Sequence, residues 1–143
     1  MSQVDFHILD RPDNSALLQH TCKLVRKAYR GGHKVYIRVE DRQDMEQLDN
    51  LLWTFSELDF IPHTTVDREY GQEPVIIGMI EYAGDEQMIL VNLSTSMTDN
   101  YSSYSRVFEV IRNEPAIISA GRERYRKYRQ MNNELTKHDI AVN

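Results

Sequence analysis

The first half of the chain alternates short β-rich runs with longer amphipathic runs, and this order constrains the fold more than any other feature. Apolar residues occupy every second position of residues 4–8, which predicts a strand. Residues 17–29 repeat apolar side chains at helical spacing until a Gly-Gly pair, which predicts a helix. Residues 34–39 predict a second strand and residues 45–52 the inner face of a second helix. Strand, helix, strand, helix predicts a mostly parallel sheet covered by helices.

Capping residues predict where the helices begin. Asn14 or Ser15 is expected to cap the first helix and Asp41 the second. Pro115 suits the first turn of a final helix. The inner side of that final helix is predicted to carry Ile117, Ile118, Gly121, Tyr125 and Tyr128.

Three further apolar runs complete a sheet of about five strands. They are residues 75–80, 88–93 and 106–112. Polar residues 64–73 predict a surface loop, and residues 94–105 a loop or a poor helix. We therefore expect one Rossmann-like α/β domain over residues 1–131, followed by a polar C-terminal tail over residues 132–143.

Composition places this domain in a reducing compartment. The 143 residues include one cysteine, which can form no internal disulfide. The N-terminus lacks the basic and apolar regions of a secretory signal, and no apolar run is long enough to cross a bilayer. A soluble, cytoplasmic protein is expected, with no membrane partner.

Motifs for catalysis are missing from the sequence. The turn after the first strand has no glycine-rich phosphate-binding loop, although an enzyme that uses nucleotides in the sheet crevice stays open as a third hypothesis. The five histidines lack metal-ligand spacing, and Cys22 lies on the apolar face of the first helix. We expect no catalytic residue, no metal, no cofactor and no small-molecule substrate.

A basic segment near the end of the chain stands out from an acidic background. Residues 115–131 hold five basic residues and one acidic residue, whereas the net charge of the whole chain is −5. Arg122, Arg126 and Arg129 recur at helical spacing with Tyr125 alongside, while Arg124 and Lys127 point elsewhere. Arginine's forked donors favour a docking surface for carboxylates.

Two other interpretations of the basic segment stay open. A charged run on a helix is often only a solvated face. The segment could also bind single-stranded nucleic acid directly, with Tyr125 and Tyr128 stacking on bases. The negative charge of the rest of the chain opposes that alternative.

An aromatic segment at the end of the second helix is the other candidate surface. Trp53 lies on the helix, and Phe60, Ile61 and Pro62 follow it. Trp53 and Phe60 either form an exposed apolar patch that anchors a partner or simply seal the sheet.

Five motifs, taken in order and spacing, resemble the chi subunit family of bacterial DNA polymerase III. They are Phe-His-Ile-Leu, Gly-His-Lys-Val-Tyr-Ile, Leu-Asp-Asn-Leu-Leu-Trp-Thr-Phe, Phe-Ile-Pro-His and Arg-Glu-Arg-Tyr-Arg-Lys-Tyr-Arg. The resemblance implies a non-catalytic adaptor that links the clamp loader to single-stranded DNA-binding protein and meets DNA only indirectly. It places the chain in the bacterial cytoplasm, at the replisome.

The same resemblance implies roles for individual residues. Arg122 and Arg126 would bind the carboxylates of the partner's acidic C-terminal tail, and Tyr125 and Ile111 would seat its terminal Phe. Arg129 and Ile118 belong to the same expected site, with Ile118 standing where family members can carry a basic residue. A second interface, with the psi subunit, is implied at Trp53, Phe60, Ile61 and Pro62.

Overall fold

The computed structural model describes residues 2–54, 61–65 and 73–142, and within them a seven-stranded sheet is flanked by three α-helices. A short 3₁₀ turn spans Tyr101–Ser103. In chain order the elements are β1 (Gln3–Leu9), α1 (Asn14–Arg30), β2 (Lys34–Arg38), α2 (Arg42–Thr54), β3 (His63–Thr65), β4 (Val75–Gly78), β5 (Met88–Asn92), β6 (Arg106–Ile111), α3 (Pro115–Gln130) and β7 (Glu134–Ile140).

The strands lie in the order β3-β4-β2-β5-β6-β1-β7, and every pairing is parallel. Val35, Ile37 and Val91 face α1 and α2. Tyr36 and Ile111 face α3 on the opposite side of the sheet. This architecture confirms the predicted α/β fold. None of the helices within the described ranges has the length and apolar character needed to span a membrane.

Two strands were missed because their sequences are polar. The predicted loop over residues 64–73 is wrong at its start, since Thr64 and Thr65 are buried in β3. Residues 66–72 of that loop lie outside the described residues. The predicted polar tail is also wrong for Glu134–Ile140, which forms β7 and pairs with β1 along its whole length. As an edge strand with exposed positions, β7 lacks the apolar alternation of the inner strands.

The helix boundaries follow local chemistry. Asp13, and not Asn14 or Ser15, caps α1 through a carboxylate that accepts the amide of Ala16 at 3.1 Å. Asp41 caps α2 as predicted, accepting the amide of Asp44 at 2.8 Å. Pro115 is the first residue of α3, also as predicted, because a first-turn residue needs no amide donor.

Candidate functional site

The basic helix α3 packs closely on β6 because of one glycine. A Cβ atom at Gly121 would lie 2.4 Å from Cδ1 of Ile111, so only glycine allows this approach without a shift. Gly121, Arg124 and Tyr128 are the buried residues of the helix. Ile117, Ile118 and Tyr125, predicted on the inner side, are half-buried and pack against the same core.

A buried polar network fixes the orientation of α3. Glu109 of β6 is fully buried, and its carboxylate accepts Arg124 at 3.1 Å and the Tyr128 hydroxyl at 2.7 Å. The amide of Asn92 donates to both carboxylate oxygens, at 3.0 and 3.2 Å. Burial raises the pKa of Glu109, and the charge of Arg124 and the hydrogen bonds oppose that rise. Arg124 is therefore an internal anchor and not a surface cation.

Beside this anchor, α3 and the sheet enclose an open pocket of about 630 Å³. Its floor is apolar and comes from β1, β6 and α3. Its rim carries cations from α3 on one side and from β7 on the other. The lining residues are Phe6, Ile8, Ile111, Ile118, Gly121, Arg122, Tyr125, Arg126 and Lys137.

Five of the six residues expected to bind an acidic tail lie around this pocket. Arg122 and Arg126 are exposed on α3, Tyr125 and Ile118 are half-buried, and Ile111 is buried. Tyr125 is held edge-on against Phe6, with ring centroids 5.2 Å apart. The sixth, Arg129, is exposed but is not among the lining residues.

Two further features set the pocket's charge. Lys137 lines the pocket from β7, a segment predicted to be a tail. Arg126 donates to Glu123 at 2.6 Å, one turn away on the helix. Both partners are more than half exposed, so water and salt screen this ion pair and a competing carboxylate could replace it.

The second predicted surface is only partly present. Trp53 is 49% exposed, and the centroid of its ring lies 4.5 Å from that of the His63 ring. Pro62 is half-buried, but Ile61 is 1% exposed and belongs to the core, so the prediction of a surface role for Ile61 is wrong. Phe60 lies outside the described residues.

Elsewhere in the described ranges, the side chains that could bind a metal ion or act as a nucleophile are not placed to do so. No group of three or more His, Cys, Asp or Glu residues there is arranged to hold a metal ion. Burial raises the pKa of the Cys22 thiol to about 12, which leaves it protonated and unreactive.

Comparison with known proteins identifies the family. The model of the DNA polymerase III chi subunit, HolC, matches residues 1–136. The chain belongs to this family. Membership confirms the resemblance indicated by the five motifs and supports a role in DNA replication.

Three curated relatives are similar along most of the chain, and each is a DNA polymerase III subunit chi. The Pseudomonas aeruginosa protein is 36% identical over 140 residues, covering 98% of both chains. The Escherichia coli protein is 29% identical over 135 residues, covering 90% of this chain and 92% of its own. The Haemophilus influenzae protein is 25% identical over 140 residues, covering 95% of this chain and 96% of its own.

Proposed function

We propose that the chain is a non-catalytic adaptor of the DNA polymerase III holoenzyme that links the clamp loader to the acidic C-terminal tail of single-stranded DNA-binding protein. The observation that carries this proposal is the pocket between α3 and the sheet, which combines an apolar floor with a cationic rim. Membership of a polymerase subunit family is consistent with this role. A cytoplasmic location and an indirect relation to DNA follow from it.

The pocket's chemistry suits a peptide that ends in Pro-Phe and a free carboxylate. Arg122 and Arg126 present forked N–H donors that bind carboxylates in pairs of hydrogen bonds. In the same pocket, Tyr125, Ile111 and Ile118 offer an apolar seat for the terminal ring. Complete burial of a Phe side chain contributes roughly 1.5 to 3 kcal/mol, so both parts of the peptide should matter.

The second proposed partner is the psi subunit of the clamp loader, through the surface around Trp53, Phe60 and Pro62. The half-exposed indole of Trp53 supports this interface because a large, partly exposed aromatic ring is a common anchor in protein complexes. Loss of psi binding in Trp53→Ala, with peptide binding unchanged, is the expected separation of the two surfaces.

Titration with an acidic peptide ending in Pro-Phe tests the tail-binding proposal. Calorimetry should show binding to the wild-type chain and affinities lower by about tenfold for Arg122→Ala and Arg126→Ala, since each removes charge-assisted hydrogen bonds. Binding should also weaken as salt rises.

Lys127→Ala is the matched control, because Lys127 lies on the same helix, is exposed and is not a lining residue. Its affinity should stay within about twofold of the wild type. Equal affinity in wild type, Arg122→Ala and Arg126→Ala would contradict the proposal. Tight binding of single-stranded DNA by the chain alone, lost in the same variants, would favour the direct nucleic-acid alternative.

A further inference from the structure

Lys137 reaches the pocket from the wall opposite α3. In the parallel pairing of β1 with β7, Phe6 is the direct partner of Lys137. Directly paired residues of neighbouring strands project from the same face of a sheet. Phe6 contacts Tyr125 on α3, so Lys137 lies on the α3 face and lines the pocket beside Phe6 and Ile8.

The ammonium group of Lys137 is available to a ligand. Lys137 is exposed and makes no hydrogen bond or ion pair with any residue that the structure describes. Arg126 and Arg124, by contrast, are already paired with Glu123 and Glu109. An anion that binds near β7 therefore needs to displace no carboxylate from Lys137.

We infer that Lys137 is a third anion-binding residue of the pocket, so that the site holds an acidic chain from two opposite walls. This inference rests on the proposed function. The apolar residues that line the pocket come from β1, β6 and α3, and its cations come from α3 and β7. The ligand that fits is a peptide whose end has an apolar side chain flanked by two carboxylates, one for each wall. The specificity of the pocket then depends on β7 as well as on α3.

Two lysine variants that have the same net charge test the inference. Lys137→Gln and Lys127→Gln each remove one exposed positive charge, but only Lys137 lines the pocket. Calorimetric titration with the acidic Pro-Phe peptide should show an affinity about three- to tenfold lower for Lys137→Gln and changed by less than about twofold for Lys127→Gln. Lys137→Arg should retain most of the affinity, because it keeps the positive charge.

The peptide supplies a second readout. Replacing its acidic side chains and its terminal carboxylate one at a time with amides should identify one carboxylate whose loss costs wild type more than it costs Lys137→Gln, which places that carboxylate at β7. Thermal unfolding of both lysine variants close to wild type shows that the edge strand is intact.

The outcomes separate the inference from the proposal on which it rests. Weakened binding in Arg122→Ala together with equal binding in Lys137→Gln and Lys127→Gln overturns the role of Lys137 and leaves the tail-binding function standing. No binding of the peptide by the wild-type chain overturns both.

Discussion

At the scale of single residues, α3 carries arginines in two electrostatic environments. Arg122 projects into solvent at the pocket rim, whereas Arg124 is 4% exposed and bonded to Glu109 and to the carbonyl of Thr95. Helical spacing in the sequence places Arg124 on a different side of the helix from Arg122 and Arg126. It could not reveal that Arg124 is buried, because its acidic partner lies on β6, fifteen residues earlier in the chain.

Removal of Arg124 should destabilise the fold far more than removal of a rim cation. Arg124→Met leaves the Glu109 carboxylate buried without its cation, and the free energy of unfolding should fall by about 3 to 5 kcal/mol. Urea denaturation monitored by circular dichroism measures this change.

The double variant Glu109→Gln, Arg124→Met supplies the internal check. It buries no lone charge, so it should be more stable than Arg124→Met alone. Lys127→Met on the exposed side of the helix should change stability by less than about 0.5 kcal/mol. A double variant no more stable than the single one would show that the ion pair is not what anchors the helix.

At the scale of elements, the spacing between α3 and β6 depends on Gly121 and Ile111. Gly121→Ala should place its methyl group against Cδ1 of Ile111, which must shift, and overpacking of up to about 1 to 3 kcal/mol should offset the gain of about 1 kcal/mol in helix propensity. In an Ile111→Val background that Cδ1 is absent, and the alanine should be neutral or stabilising by up to about 1 kcal/mol through its helix propensity. Urea denaturation of wild type, the two single variants and the double variant measures the coupling between the two positions. An equal effect of Gly121→Ala on stability in both backgrounds would rule out the close contact.

The sequence predicted those elements whose pattern of apolar and polar side chains matches their burial in the fold. The apolar periodicity of α1 and the buried runs of β4 and β5 gave correct types and nearly correct bounds. β3 and β7 were missed because His63–Thr65 and Glu134–Ile140 are polar and are held by pairing with neighbouring strands. Tertiary context outweighs local β-propensity at such positions. Because β7 was not predicted as a strand, Lys137 was not predicted to line the pocket.

At the scale of the whole molecule, three elements meet at a histidine cluster on the sheet face opposite α3. His7 of β1 lies 2.9 Å from His20 of α1, nitrogen to nitrogen, and its ring centroid is 5.2 Å from that of His138 of β7. Burial, together with the charges of His20 and His138, lowers the pKa of His7 from 6.5 to about 4. The fold therefore keeps His7 neutral where the unfolded chain would protonate it.

Stability should consequently fall in mild acid. Between about pH 6.5 and 4 the unfolded chain binds more protons than the folded chain at His7, so the free energy of unfolding decreases as the pH decreases through that window. Urea denaturation at several pH values should show a shallower dependence in His7→Gln than in wild type. His33→Gln, which changes an exposed histidine, should leave the dependence intact, and an unchanged slope in His7→Gln would contradict the assignment.

The pairing of β1 with β7 also determines when the pocket can be completed during synthesis of the chain. Phe6 of the floor and Lys137 of the wall are separated by 131 positions in the sequence, yet they are neighbours in the sheet. Contacts of such long range are slow to form, and during translation they must wait until β7 has left the ribosome. Until β7 pairs with β1, the pocket therefore lacks the side that carries Lys137, even if the inner strands have already folded.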